Sequence, residues 1–105
     1  MPHLLLLVSL LFFGLPRNFH NYNDHDGRIY SYKILKNGDQ TFGYDVYADG
    51  KLLVHQPNVP ALPGNRGFVS RESAEIVARL VLRKLLNGDK LPTVSIDEMR
   101  KLNAI

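Results

Sequence analysis

The chain has 105 residues, 45% hydrophobic and 22% charged, with a formal net charge of +3 and no cysteine. That length holds one domain, and the composition is that of a folded globule. Without cysteine there is no disulfide, no thiolate nucleophile and no thiolate-ligated metal. The cations Lys33, Lys51, Arg66, Arg79, Arg83 and Lys101 are scattered and lack a stacking motif, so nucleic-acid binding is not expected.

Leu4–Leu15 (LLLLVSLLFFGL) is apolar throughout and is stopped by Pro16 and Arg17. Twelve helical residues span about 18 Å, short of the ~30 Å hydrocarbon core. Residues 1–17 therefore read as an export signal peptide or, if uncleaved, an N-terminal membrane anchor, although no Lys or Arg precedes Leu4 and no small-x-small cleavage site follows. Residues 18–27 (NFHNYNDHDG) read as a polar linker. Its His20, Asp24, His25 and Asp26 have metal-ligand chemistry but lack the rigid supporting shell of real sites, so no metal and no cofactor is expected.

Residues 28–105 read as one small α+β domain, a three-stranded antiparallel meander on one long helix with a short C-terminal helix. Arg28–Lys36 is rich in β-branched and aromatic residues, as a strand requires. After the turn Asn37-Gly38-Asp39, Thr41–Ala48 alternates, with Phe42, Tyr44, Val46 and Ala48 on one face and Gly43, Asp45 and Tyr47 on the other. Asp49-Gly50 signals a type I′ turn, and Lys51–Gln56 returns antiparallel. The face with Phe42, Tyr44, Val46, Leu53 and Leu35 is expected to meet the helix. The opposite face, with Tyr47, Leu52 and Val54, keeps enough apolar surface to dock on a partner chain. In that subunit reading the patch extends to Tyr30 and Tyr32.

Residues 54–68 (VHQPNVPALPGNRGF) carry three prolines and two glycines. Residues before proline are driven extended, the asparagines can bond nearby backbone, and Gly64 and Gly67 can take positive φ. The segment is thus expected to be an ordered strap packing through Val59, Ala61, Leu62 and Phe68. Ser70 then caps a helix whose stripe is Ala74, Val77, Ala78, Val81 and Leu85, with Glu75–Arg79 as a helical ion pair and Gly88 as its stop. Ser95-Ile96-Asp97-Glu98 is a capping box opening a second helix with Met99 and Leu102 inward.

Few residues suggest chemistry. A two-residue Asp49-Gly50 turn, continued without irregularity, sets Tyr44 against His55 and sends Asp45 and His55 to opposite faces. A histidine–aspartate pair is then not expected. The serines lack a nucleophile elbow, and Pro63–Gly67 lacks the lysine of a phosphate loop. The candidate binding residues are His55, Gln56, Asn58, Asn65 and Arg66, with Tyr44 and Asp45 nearby in sequence on opposite faces. No catalytic residue is assigned. The alternatives are a small enzyme using His55 as acid or base and a structural subunit docking through its second sheet face.

The stretches Gly43-Tyr44-Asp45-Val46, Asp49-Gly50-Lys51 and His55 through Phe68, with Ala74, Val77-Ala78, Val81, Lys84 and Leu91-Pro92-Thr93, resemble a family of small exported bacterial proteins, mostly from Bacteroidetes, known as domain-of-unknown-function family 4907. The likeness runs over about residues 30–102. It implies export to the periplasm or cell envelope and brings no activity or catalytic residues. The expectation is therefore a non-catalytic binding or accessory module for an envelope protein or small ligand, touching the membrane only through residues 4–15 if that segment is not cleaved.

Overall fold

The computed structural model describes residues 21–105; the apolar segment, Arg17 and His20 lie outside the described residues. Four strands, β1 (Tyr22–Asn23), β2 (Ile29–Lys36), β3 (Phe42–Ala48) and β4 (Lys51–Gln56), form one antiparallel sheet in the order β1-β2-β3-β4. Helix α1 (Arg71–Leu86) packs on β2 and β3, and the short α2 (Ile96–Lys101) follows. Among the described residues no helix is long and apolar enough to cross a membrane.

The fourth strand corrects the three-stranded expectation. Tyr22 and Asn23, read as linker, pair with Tyr30 and Ile29. A local turn makes this possible: Asp24 Oδ1 accepts from the backbone N–H of Asp26 at 3.0 Å and Arg28 at 2.8 Å, and Gly27 takes φ +80°. Polar, turn-forming residues look like a tether in sequence, yet they are also what a tight hairpin is made of. His25, Asp24 and Asp26 contribute to no group of three metal-ligating side chains among the described residues.

Local signals elsewhere match the structure. Asp49 and Gly50 take φ +50° and +79°, as a type I′ turn requires. Ser70 caps α1 by accepting from the Ser73 N–H, and the Ser95 box closes with both reciprocal bonds. Gly88, at φ +95°, ends α1. The stripe Ala74, Val77, Ala78, Val81 and Leu85 is buried, joined by Leu82. On α2 Met99 is buried, whereas Leu102 is 36% exposed, contrary to the inward packing expected. The helix ends at Leu102, and the buried contact passes instead to Ala104, whose N–H bonds the Met99 carbonyl.

The sheet face against α1 carries Tyr30, Tyr32, Ile34, Tyr44 and Val46, all buried. Tyr30 and Tyr32 therefore belong to the core, which removes most of the aromatic patch the subunit reading required. Leu35 is displaced to the outer face with Gly43, its partner in register. Val54 pairs with Val46 and turns inward, so its expected outward placement is also corrected. Burying such side chains contributes roughly 1.5–3 kcal/mol each, which is why the face richest in large apolar groups faces the helix.

The strap is tied at both ends. Pro57 lacks an N–H, so β4 stops there, and Phe68 takes over the pairing position beside Phe42 with two backbone bonds of 2.7 and 2.8 Å. Val59 N–H donates to the Arg66 carbonyl, closing the intervening turn at 2.8 Å. Val59 and Phe68 are buried as expected, whereas Ala61 and Leu62 are exposed. Their turn bulges outward because Ala61 (φ +66°), Gly64 (φ +103°) and Asn65 (φ +49°) all take left-handed conformations. Gly67 does not take positive φ; it is needed because a Cβ there would run into Asn37 and Thr41.

Candidate binding site

The β3–β4 pairing decides the site. Ala48↔Lys51 and Tyr47↔Leu52 follow the turn, but the register then shifts, and the next pairs are Val46↔Val54, Asp45↔His55 and Tyr44↔Gln56. Leu53 is the extra residue of a β-bulge, which moves every later β4 side chain to the other face. The expected separation of Asp45 and His55 is thereby overturned. They stand side by side on the outer face, with His55 Nδ1 2.5 Å from Asp45 Oδ1. The signal was present in Leu52-Leu53-Val54, three consecutive apolar residues where strict alternation permits at most two of one kind on the core side.

Asp45 is held in the middle of this face, its side chain 10% exposed, while that of His55 is 57% exposed. Tyr47 hydroxyl donates to Asp45 Oδ2 at the long distance of 3.5 Å. Lys33 is the register partner of Asp45 on β2 but forms no ion pair with it. An ionised Asp45 takes the hydrogen on Nδ1, which fixes the ring's tautomer and orientation and presents Nε2 outward as an acceptor; a protonated ring presents a donor there. That geometry can orient a general base or anchor a polar contact. Catalysis also needs a substrate cleft and a reacting group. Ser31, on the same face, is 6% exposed, and none of the principal clefts includes His55.

The remaining candidates divide between two other places. Tyr44 and Gln56 face the helix side, where they line a cleft between the strap and the α1–α2 connection. Gln56 Nε2 donates to the Asn58 carbonyl at 2.7 Å, so Asn58 acts through its backbone. Asn65 and Arg66 lie at the exposed far turn of the strap, where Arg66 borders a separate groove with Leu62, Val69 and Ile105. The structure thus brings Asp45 and His55 together, and Tyr44 and Gln56 together, and keeps Asn65 and Arg66 apart from both.

Two further polar clusters serve the fold. Tyr32 hydroxyl donates to Glu75 at 2.9 Å and accepts from Arg79, which also pairs with Glu75 at 2.7 Å. Burial pushes Tyr32 above its ordinary value, partly opposed by the Arg79 bond. The expected Glu75–Arg79 pair is therefore more than a solvated face: it satisfies a core tyrosine. Lys84 Nζ bonds the Thr93 carbonyl and Glu98, fastening α2 to α1 and holding the Glu98 carboxyl below its usual range.

Fold and site together define a small α+β domain with an Asp45–His55 pair on its outer sheet face and a separate cleft at the other side of β4. Residues 33–101 match the family described as Domain of unknown function (DUF4907), and the chain belongs to that family. No curated protein and no solved structure gives a match.

Proposed function

We propose that this chain is an exported accessory module of the bacterial cell envelope, without catalytic activity, that binds a protein partner through the outer face of β3 and β4. The apolar stretch Leu4–Leu15 supports export. One observation carries the binding surface: a carboxylate sunk into an open sheet face, with a half-exposed imidazole fixed over it at 2.5 Å. Tyr47 and the exposed Leu52 flank the pair and give an apolar shoulder beside a polar anchor. A half-exposed pair that lies outside the principal clefts suits a broad macromolecular contact rather than enclosure of a substrate.

A photo-crosslinking residue at Leu52, with Arg83 as the helix-side control, tests this in the full chain within its native envelope. The expected result is a discrete protein adduct from position 52 that is absent from position 83 and disappears in His55→Ala. Adducts common to both positions, or indifferent to His55→Ala, refute the reading. Recovery of the chain in the cytoplasm refutes the export component.

The enzyme reading gains one observation, the carboxylate beside His55 Nδ1. Turnover of an ester or amide panel that falls with both His55→Ala and Asp45→Asn would favour it over simple binding.

A further inference from the structure

The cleft on the helix side of β4 has a volume of about 330 Å3 and lies between the strap, the end of β4 and the α1–α2 connection. Val54, Val81 and Val94 with Pro60 and Pro92 form aliphatic walls, and no charged side chain lines it. Its polar groups come from Tyr44, Gln56 and Thr93.

Tyr44 is the unusual member. It is 1% exposed, and its hydroxyl has no hydrogen-bond partner among the described residues. Yet no fully buried polar side-chain atom of the described residues lacks a partner, so this hydroxyl must keep a small opening. Of the four principal clefts Tyr44 lines this one alone, and the opening is assigned to it on that ground. A hydroxyl buried to this degree, without a protein partner, is satisfied only by water or by a bound group entering through that opening, since leaving the bond unmade costs about 1–3 kcal/mol. Burial also drives the phenol well above its ordinary value, so it stays a neutral hydroxyl and cannot serve as a base. Gln56 supplies the complement. Its Nε2 is committed to the Asn58 carbonyl, leaving Oε1 as the free acceptor.

We propose that this cleft binds a compact neutral amide, a small branched aliphatic body bearing a carboxamide, whose carbonyl accepts from Tyr44 and whose N–H donates to Gln56 Oε1. The volume lies at the lower end of ligand sites and admits a fragment-sized group. Aliphatic walls without a counter-charge reject an ion, since a buried unpaired charge is far costlier than a buried amide with both hydrogen bonds made. The site lies across β4 from His55 and is independent of the outer-face reading.

The test is an amide-resolved NMR titration of the full chain in detergent with isobutyramide, and with isobutyrate as its charged isostere. Isobutyramide should give saturable shifts confined to the cleft, at Ala61, Thr93 and Val94. Tyr44→Phe and the charged isostere should each weaken binding about tenfold or more, the worth of one well-made hydrogen bond or one unpaired charge. Unsaturable shifts, equal binding of isobutyrate, or affinity indifferent to Tyr44→Phe overturns the proposal. Thr93→Phe covers the case in which Tyr44→Phe fails to fold. Residue 93 is exposed at the rim, so the ring fills the cleft with Tyr44 intact, and undiminished binding in that variant is equally fatal.

Discussion

Replacing Gly43 by alanine probes how closely the strap is laid against the sheet. A Cβ at this position would lie 2.5 Å from the Gln56 carbonyl oxygen, 2.5 Å from Pro57 Cα and 2.7 Å from the Pro57 carbonyl oxygen. All three are backbone atoms, and ordinary contact begins near 3.4 Å, so the strap must retreat by about 1 Å. That retreat strains the Tyr44↔Gln56 pair and the 2.9 Å bond from Asn37 Nδ2 to the Pro57 carbonyl. Overpacking costs about 1–3 kcal/mol, and weakening a half-buried hydrogen bond adds roughly 1 kcal/mol. A loss of about 3 kcal/mol is a large share of the ~5–10 kcal/mol expected of so small a domain. At ~4–8 °C per kcal/mol, Tm should fall by roughly 12–24 °C. Urea and thermal unfolding followed by circular dichroism measure it. The matched control is Gly38→Ala, where the added carbon meets nothing within 4 Å and φ is not positive; it should stay within about 0.5 kcal/mol. A Gly43→Ala variant as stable as this control would refute the argument. Because the displaced residues include Gln56, the same substitution should also disturb the helix-side cleft.

The remaining predictions concern two ion pairs. A double-mutant cycle on Asp45→Asn and His55→Ala should give a coupling of about 1 kcal/mol, between the values for exposed and fully buried pairs, because the carboxylate is sheltered and the imidazole is not; additive effects would show that the contact contributes nothing. Glu98, its carboxyl held down first by the Lys84 bond, stabilises the ionised folded form, so the contribution is complete above the unfolded value near 4.5 and is lost as pH falls through the lower folded value. Glu98→Gln should therefore cost about 0.5 kcal/mol at pH 7, with the gap to wild type closing below pH 4.5; a pH-independent gap would rule out the charge as its source.

The sequence by itself determined the features that close within a few residues. The Ser70 and Ser95 caps, the Asp49-Gly50 turn, the Gly88 stop and the α1 stripe each depend on local hydrogen bonds, φ values or the helical period, and each stands where the residues put it. The strap's burial through Val59 and Phe68 was likewise legible, because proline and glycine restrict the chain before any tertiary contact forms.

Tertiary packing decided which face goes inward, whether Tyr22 joins the sheet, and where β4 slips by one residue. The turn governs only the first two pairs of the β3–β4 hairpin. Beyond them, burial favours Val54 over a histidine beneath α1, and a single bulge at Leu53 achieves this by reversing the later alternation. That one inserted residue joins His55 to Asp45 and leaves Tyr44 and Gln56 together at the cleft. Strand pairing has a period of two, so a contribution from a distant helix surface can invert a whole segment at small local cost, and no window of the chain holds the helix and the strand at once.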